Sequence, residues 1–183
     1  LAATDSDKHF GEAISMYDEL LQLSETKADG ATDERLLYRL SKAYALDGKL
    51  EESDEILAAL VNAYPDSDYK AEAEFRRAEQ AFRMKDYALA ETFYTRVVKA
   101  GEKTPFYLNA IYMQGWSKFK QNNYRGSIQP FTAVLDKVLV EGEALDGKNG
   151  QVADSSKKSL AADTLRVLGF AFSYLEGASS ITF

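Results

Sequence analysis

One arrangement of residue types occurs four times in this chain. An aromatic residue or Leu is followed by a small residue three places on, a bulky one four after that, and two apolar residues three and four further. The copies are Phe10/Ala13/Tyr17/Leu20/Leu21, Leu50/Ser53/Leu57/Leu60/Val61, Tyr87/Ala90/Tyr94/Val97/Val98 and Tyr124/Ser127/Phe131/Val134/Leu135, so the small residues stand 40, 37 and 37 positions apart. Within each copy the apolar spacing is that of one helix face. A repeat of this length is one supersecondary unit that buries its apolar face only against its neighbours.

Each later copy is preceded by another helical pattern whose small residue lies twelve positions upstream: Ser41 before Ser53, Ala78 before Ala90 and Gly115 before Ser127. Small side chains at matched places let two helix backbones approach closely, so the unit reads as a helical hairpin. Asp47-Gly48-Lys49, Met84-Lys85-Asp86 and Gln121-Asn122-Asn123 supply the turns within hairpins. Pro65 and Pro105 stand at the joints between them, where a missing N–H costs nothing. A fifth leading helix is expected from Leu165, Leu168, Gly169 and Phe172. Gly169 lies 54 rather than 37 residues after Gly115, and the surplus of 17 falls in Glu141–Ser159, a Gly-, Asp-, Ser- and Lys-rich stretch read as an inserted surface loop.

These residues resemble the tetratricopeptide repeat (TPR) family, whose unit is a helix–turn–helix of about 34 residues. Leu37, Leu40, Ser41, Tyr44, Ser53, Leu57, Leu60 and Pro65 fall where its signature asks. The resemblance implies an all-α chain, an α-solenoid of helix-turn-helix hairpins forming a single domain over 1–183. Within it 10–27 is a partial repeat, 33–65, 69–102 and 106–139 are full repeats, 141–159 is the loop and 160–183 is an incomplete last repeat. The run Tyr112–Gln121 followed by Tyr124 looks like units of bacterial envelope proteins, which implies a periplasmic or envelope-associated home, with the cytoplasm as the alternative. Three departures stand out. Glu74 and Arg77 occupy places that are usually apolar, so their helix is expected to pack through Phe75, Ala78, Ala81 and Phe82. Pro130 falls inside a helix and is expected to kink it or shift its start. The first unit lacks most or all of its leading helix.

In the family the leading helices line a concave face, and the resemblance implies which side chains point there: Arg35, Tyr38, Arg39 and Lys42, then Glu72, Phe75, Arg76, Glu79, Phe82 and Arg83. Asn109, Tyr112, Met113, Trp116, Phe119 and Lys120 follow, and then Asp163, Arg166, Phe170 and Tyr174. Seven are basic and three acidic in a chain of net charge -7, so a basic trough on an acidic body is expected. Aromatic side chains and Arg supply most binding energy at protein interfaces. The expected contacts with a peptide or partner protein are therefore Tyr38, Arg39, Lys42, Phe75, Arg76, Phe82, Tyr112, Trp116, Phe119, Lys120 and Arg166. The places where some relatives carry a clamp for a chaperone's terminal carboxylate hold Tyr38, Lys42, Arg76, Asn109 and Met113, a set that does not make one.

Other functions find little support. The acidic balance, with a pI near 4.9, argues against nucleic-acid binding. No apolar run approaches the ~20 residues that span a bilayer. The chain holds no Cys and one His, which removes disulfides, thiol nucleophiles and the usual zinc sites. His9 reads as a solvated side chain. Asp146–Gly150 has Lys148 where a calcium loop needs an oxygen ligand. A non-catalytic binding module without cofactor or metal is expected, part of a larger protein because both ends read as cut. The alternative is a structural spacer whose end hairpins self-associate.

Overall fold

A computed structural model describes residues 5–25, 33–141 and 155–175, and among these residues the chain holds only helices and the turns between them. The helices are α1 (Asp5–Glu25), α2 (Glu34–Leu46), α3 (Leu50–Ala63), α4 (Lys70–Arg83), α5 (Tyr87–Lys99), α6 (Tyr107–Lys120), α7 (Tyr124–Glu141) and α8 (Ser155–Tyr174). The fold is all-α, of the α-solenoid class. It divides into two compact units, Leu1–Gln80 and Ala81–Phe183.

Helix breaks fall at the three expected turns, and their backbone explains why. Gly48, Lys85 and Asn122, each 37 residues apart, are all left-handed, with φ of 80°, 65° and 61°. The amide one residue later donates five residues back, Lys49 to Tyr44, Asp86 to Ala81 and Asn123 to Lys118, at 2.9, 2.9 and 3.0 Å. This is the Schellman ending, in which one left-handed residue lets the chain satisfy the last carbonyls of a helix while reversing. In two turns the residue that closes one helix also opens the next: the Asp86 carboxylate accepts from the Leu89 amide at 3.0 Å, and the Asn123 side chain from the Gly126 amide at 2.9 Å. Asp33 caps α2 in the same way, accepting from the Arg35 amide at 2.8 Å. That bond to the charged form holds the Asp33 carboxyl below the usual carboxylate range.

The small residues sit where the close approaches are. In unit 1, the Ser53 hydroxyl donates to the Ser41 carbonyl at 2.8 Å, both residues buried, so the α2/α3 seam is bridged by a hydrogen bond across the twelve-residue offset. In unit 2, a Cβ built on Gly115 would stand 2.8 Å from the ring of Phe131, which is fully buried. The α6/α7 seam is thus a glycine under an aromatic ring. Leu37, Leu57, Leu60, Val61 and Ala73 form one core cluster in unit 1, and Ile14, Leu40 and Ala43 another beneath α1. Ile111, Phe131, Val134, Leu135, Val138, Ala161, Val167 and Leu168 form the core of unit 2.

One expectation is extended and three are corrected: α4 packs through the buried Phe75, Ala78 and Ala81, as expected, but also takes in two polar side chains. Glu74 is buried to 2% exposure, and Arg77 stays half-buried, its Nε donating to Asp54 of α3 at 3.0 Å. The helix therefore keeps both polar side chains on its packed side. Pro130 is fully buried inside a helix that starts at Tyr124, as the repeat demands, so the start is not shifted. α1 extends from Asp5, earlier than the first repeat pattern suggests. The stretch read as a loop is helical at both ends, at Glu141 and Ser155–Ser159, while 142–154 lies outside the described residues, as do the Asp146–Gly150 motif and the side chain of His9.

Candidate binding surface

In unit 1, α2 presents two faces with different duties. Leu37, Leu40 and Ser41 are buried, while Arg35, Arg39 and Lys42, at helical spacings of four and three, are exposed. Tyr38 stands between these faces, half-buried and stacked on Tyr69, the residue before α4, with centroids 4.3 Å apart and planes at 16°. The Lys42 ammonium lies 5.3 Å from the centre of the Tyr38 ring, a cation–π placement. Arg76, exposed on α4, donates through Nε to Glu72 at 2.8 Å. Burial works against the Arg76 cation, but the Glu72 hydrogen bond and charge outweigh it and raise its pKa. Burial first, and Glu72 second, push the Tyr38 hydroxyl up as well. Tyr38, Lys42, Arg76, the expected inward-facing Glu72 and the unforeseen Tyr69 thus make a polar–aromatic patch, with Arg39 exposed along the same ridge as Lys42.

In unit 2 the rings converge. Tyr112, Trp116 and Phe119 follow one face of α6, all half-buried. Trp116 meets Tyr112, Phe119 and Phe131 edge-on, with centroids 6.4, 5.6 and 6.1 Å apart. Phe119 meets Tyr124 of α7 at 5.1 Å and Tyr174 of α8 at 6.1 Å, and these two tyrosines stack at 4.6 Å and 12°. Edge-on contacts of this kind are worth about 0.5–1.5 kcal/mol each beyond area burial. The buried Phe131 ring is the floor and the exposed Tyr174 is the rim. Lys120 is exposed with its ammonium 5.7 Å from the Trp116 ring centre. The nearby Lys118 is committed elsewhere, to Glu91 of α5 at 2.6 Å.

Not every expected contact residue joins these two surfaces. Phe75 is 8% exposed and belongs to the core, so it is withdrawn as a contact residue. Phe82 is half-buried and packs edge-on against Tyr87 at 5.1 Å instead of joining the α6 rings. Arg166 is exposed and paired with Asp163 at 3.2 Å. Among the described residues Arg39, Lys42 and Lys120 have no carboxylate within ion-pairing distance. Tyr69 and Tyr124 are not among the expected contacts, because Tyr69 precedes α4 and falls outside its period while Tyr124 belongs to a second-helix pattern; their nearness to Tyr38 and Phe119 is visible only in three dimensions.

Residues 35–67 match the tetratricopeptide repeat family, a span that runs from the second residue of α2 through the first turn and α3. A comparison with curated proteins gives no match. Among solved structures, the chain is similar to a singly substituted form of a Podosopora anserina protein with nearly identical TPR-like repeats. That likeness has a TM-score of 0.64 at 13% identity and covers 93% of this chain and 85% of that one. The form of that protein without the substitution gives 0.62 at 14% identity with the same coverage. A double mutant of MamA from RS-1 gives 0.51 at 18% identity, over 90% of this chain and 97% of that one. At such identities the likeness is one of fold.

Proposed function

We propose that this chain is a non-catalytic interaction module that holds a peptide or partner protein on the side formed by the first helices of its hairpins, the concave side in tetratricopeptide arrays. The tetratricopeptide fold is that of protein–protein interaction and scaffold modules, which supports the class. The observation that carries the site is the aromatic seam of unit 2. Its rings pack on one another and on Phe131, yet Tyr112, Trp116, Phe119 and Tyr124 remain partly open to solvent. Beside them stands Lys120, which has no ion-pair partner among the described residues. Rings held rigid by neighbours and left accessible gain area on binding at little entropic cost. A partner with apolar anchors and some carboxylates suits both this seam and the Tyr38–Lys42 patch. The likeness of Tyr112–Gln121 to envelope repeats supports a place within a larger bacterial envelope protein.

Trp116 is the single tryptophan of the chain, so its fluorescence reports directly on the seam. Peptides selected on the wild-type chain from a displayed library should perturb that emission. They should lose about tenfold or more in affinity with Tyr174→Ala or Lys120→Glu, a hot-spot-sized loss. Lys99→Ala, at the exposed end of α5 and outside both ring clusters, should leave binding unchanged. Selected peptides that bind all three variants alike would place the site elsewhere.

A further inference from the structure

The aromatic face of α6 is rich in hydrogen-bond donors and carries no carboxylate. The indole N–H of Trp116 and the hydroxyl of Tyr112 have no hydrogen-bond partner among the described residues, although both side chains are partly open to solvent. Lys120 adds a third donor, exposed, with its ammonium 5.7 Å from the Trp116 ring centre. α6 contains no Asp or Glu, and neither does the first turn of α7. Between these donors the rings of Tyr112, Trp116, Phe119 and Tyr124 form a row, with neighbours 6.4, 5.6 and 5.1 Å apart. Their planes meet at 86°, 73° and 69°, so each pair encloses a corner instead of closing face on face. The row lies inside unit 2, and α6 and α7 each have a neighbouring helix on either side, so the openness of these rings belongs to the face itself.

We infer that this seam takes a proline-rich segment in the polyproline II conformation with an acidic residue at one end, which names the ligand class for the site proposed above and rests on that reading. Unpaired donors set among rings call for a ligand whose backbone carbonyls are free. A helical ligand spends its carbonyls internally, whereas a polyproline II segment has no internal hydrogen bonds and offers every one. Proline also brings no N–H of its own, so it asks for no acceptor from a face without a carboxylate. The conformation advances about 3.1 Å per residue, or about 6 Å every second residue, which matches the spacing of the rings. Four rings in a row therefore serve a segment of no more than about six residues. Pro side chains are compact and fixed in φ, so they enter the corners between edge-on rings with little loss of freedom. A carboxylate at the end of the segment meets the uncompensated charge of Lys120.

Two capped peptides test this through the emission of Trp116. One is a run of about six prolines with a Glu at each end, to serve either chain direction; the other has Ala in place of every Pro. The proline peptide should give a saturable change and bind at least about tenfold more tightly than the alanine one. Lys120→Glu should weaken it by about tenfold. Tyr112→Phe, which removes the hydroxyl and keeps the ring, should weaken it by about fivefold, the loss of one hydrogen bond. Both substitutions fall on side chains open to solvent, and circular dichroism checks that the fold is kept. A proline peptide that binds no better than the alanine one, or that binds Tyr112→Phe as well as wild type, would overturn the inference. If that happens while library-selected peptides still depend on Lys120 and Tyr174, the surface stands and its ligand is helical or strand-like. If no peptide of either kind depends on those residues, the site proposed above fails with it.

Discussion

Gly115 and Gly169 occupy the same place in the first-helix pattern, yet adding a methyl group to each should move stability in different directions. A Cβ at Gly115 would lie 2.8, 2.9 and 3.0 Å from three atoms of the Phe131 ring. That ring is fully buried and braced by Tyr112 at 5.9 Å and Trp116 at 6.1 Å, so it cannot swing aside without disturbing both. Overpacking of this kind costs about 1–3 kcal/mol, and the gain in helix propensity from Gly to Ala returns about 1 kcal/mol. Gly115→Ala should therefore lie about 0–2 kcal/mol below wild type. Gly169→Ala meets open space and keeps the whole propensity gain, about 1 kcal/mol above wild type. Urea denaturation measures both. Thermal midpoints should follow at about 2–4 °C per kcal/mol for a chain of this size. Phe131→Leu supplies the control: with the ring removed, Gly115→Ala should recover its propensity gain, giving a coupling of about 1–3 kcal/mol. If the two alanine substitutions stabilise equally, or the cycle shows no coupling, the close approach of α6 and α7 is wrong.

Two further outcomes follow from the turns and caps. Lys85 holds a left-handed backbone at φ 65° where the preceding turn uses Gly48; Lys85→Gly should raise stability by about 1 kcal/mol in a denaturant titration, the cost an L side chain bears there. Asp33→Ala removes the α2 cap and should cost about 1 kcal/mol near neutral pH. The folded carboxyl is held below its ordinary value, so its contribution is present above the unfolded pKa and disappears as pH falls through the folded one. Wild-type and Asp33→Ala midpoints should therefore converge in acid, and a gap that persists there would show that the cap does not act through the carboxylate.

The seams and turns are legible in the sequence because they depend on residue size and backbone conformation, and both are local. Only a small side chain permits the Ser41–Ser53 approach, and a run such as Gln121-Asn122-Asn123 offers a left-handed residue with a capping side chain beside it. Surface assignments are less secure because helix periodicity fixes angles around an axis, not the direction that the axis turns toward its neighbours. Phe75 lies one residue from Glu74, a rotation of about 100° on a helix, and both are buried, since α4 is covered over a wider arc than the repeat period implies. The convergence of Phe119, Tyr124 and Tyr174 is similarly hidden, because it joins the end of one helix, the start of the next and a third beyond the surplus stretch. Gly169 fits the seam pattern by residue type, yet nothing lies within 4 Å of a Cβ built on it, so residue type alone does not make a seam.

The division of α2 into two faces has a wider consequence. Ser41 and Arg39 are two residues apart, nearly opposite on the helix, so the side chain that fixes the hairpin and the side chain that meets solvent can change independently. What such a helix greets can be rewritten while its bearings stay untouched, and the fold is shared with a structure only 13% identical in sequence. For an engineer, Arg35, Arg39 and Lys42 are free letters on a fixed line.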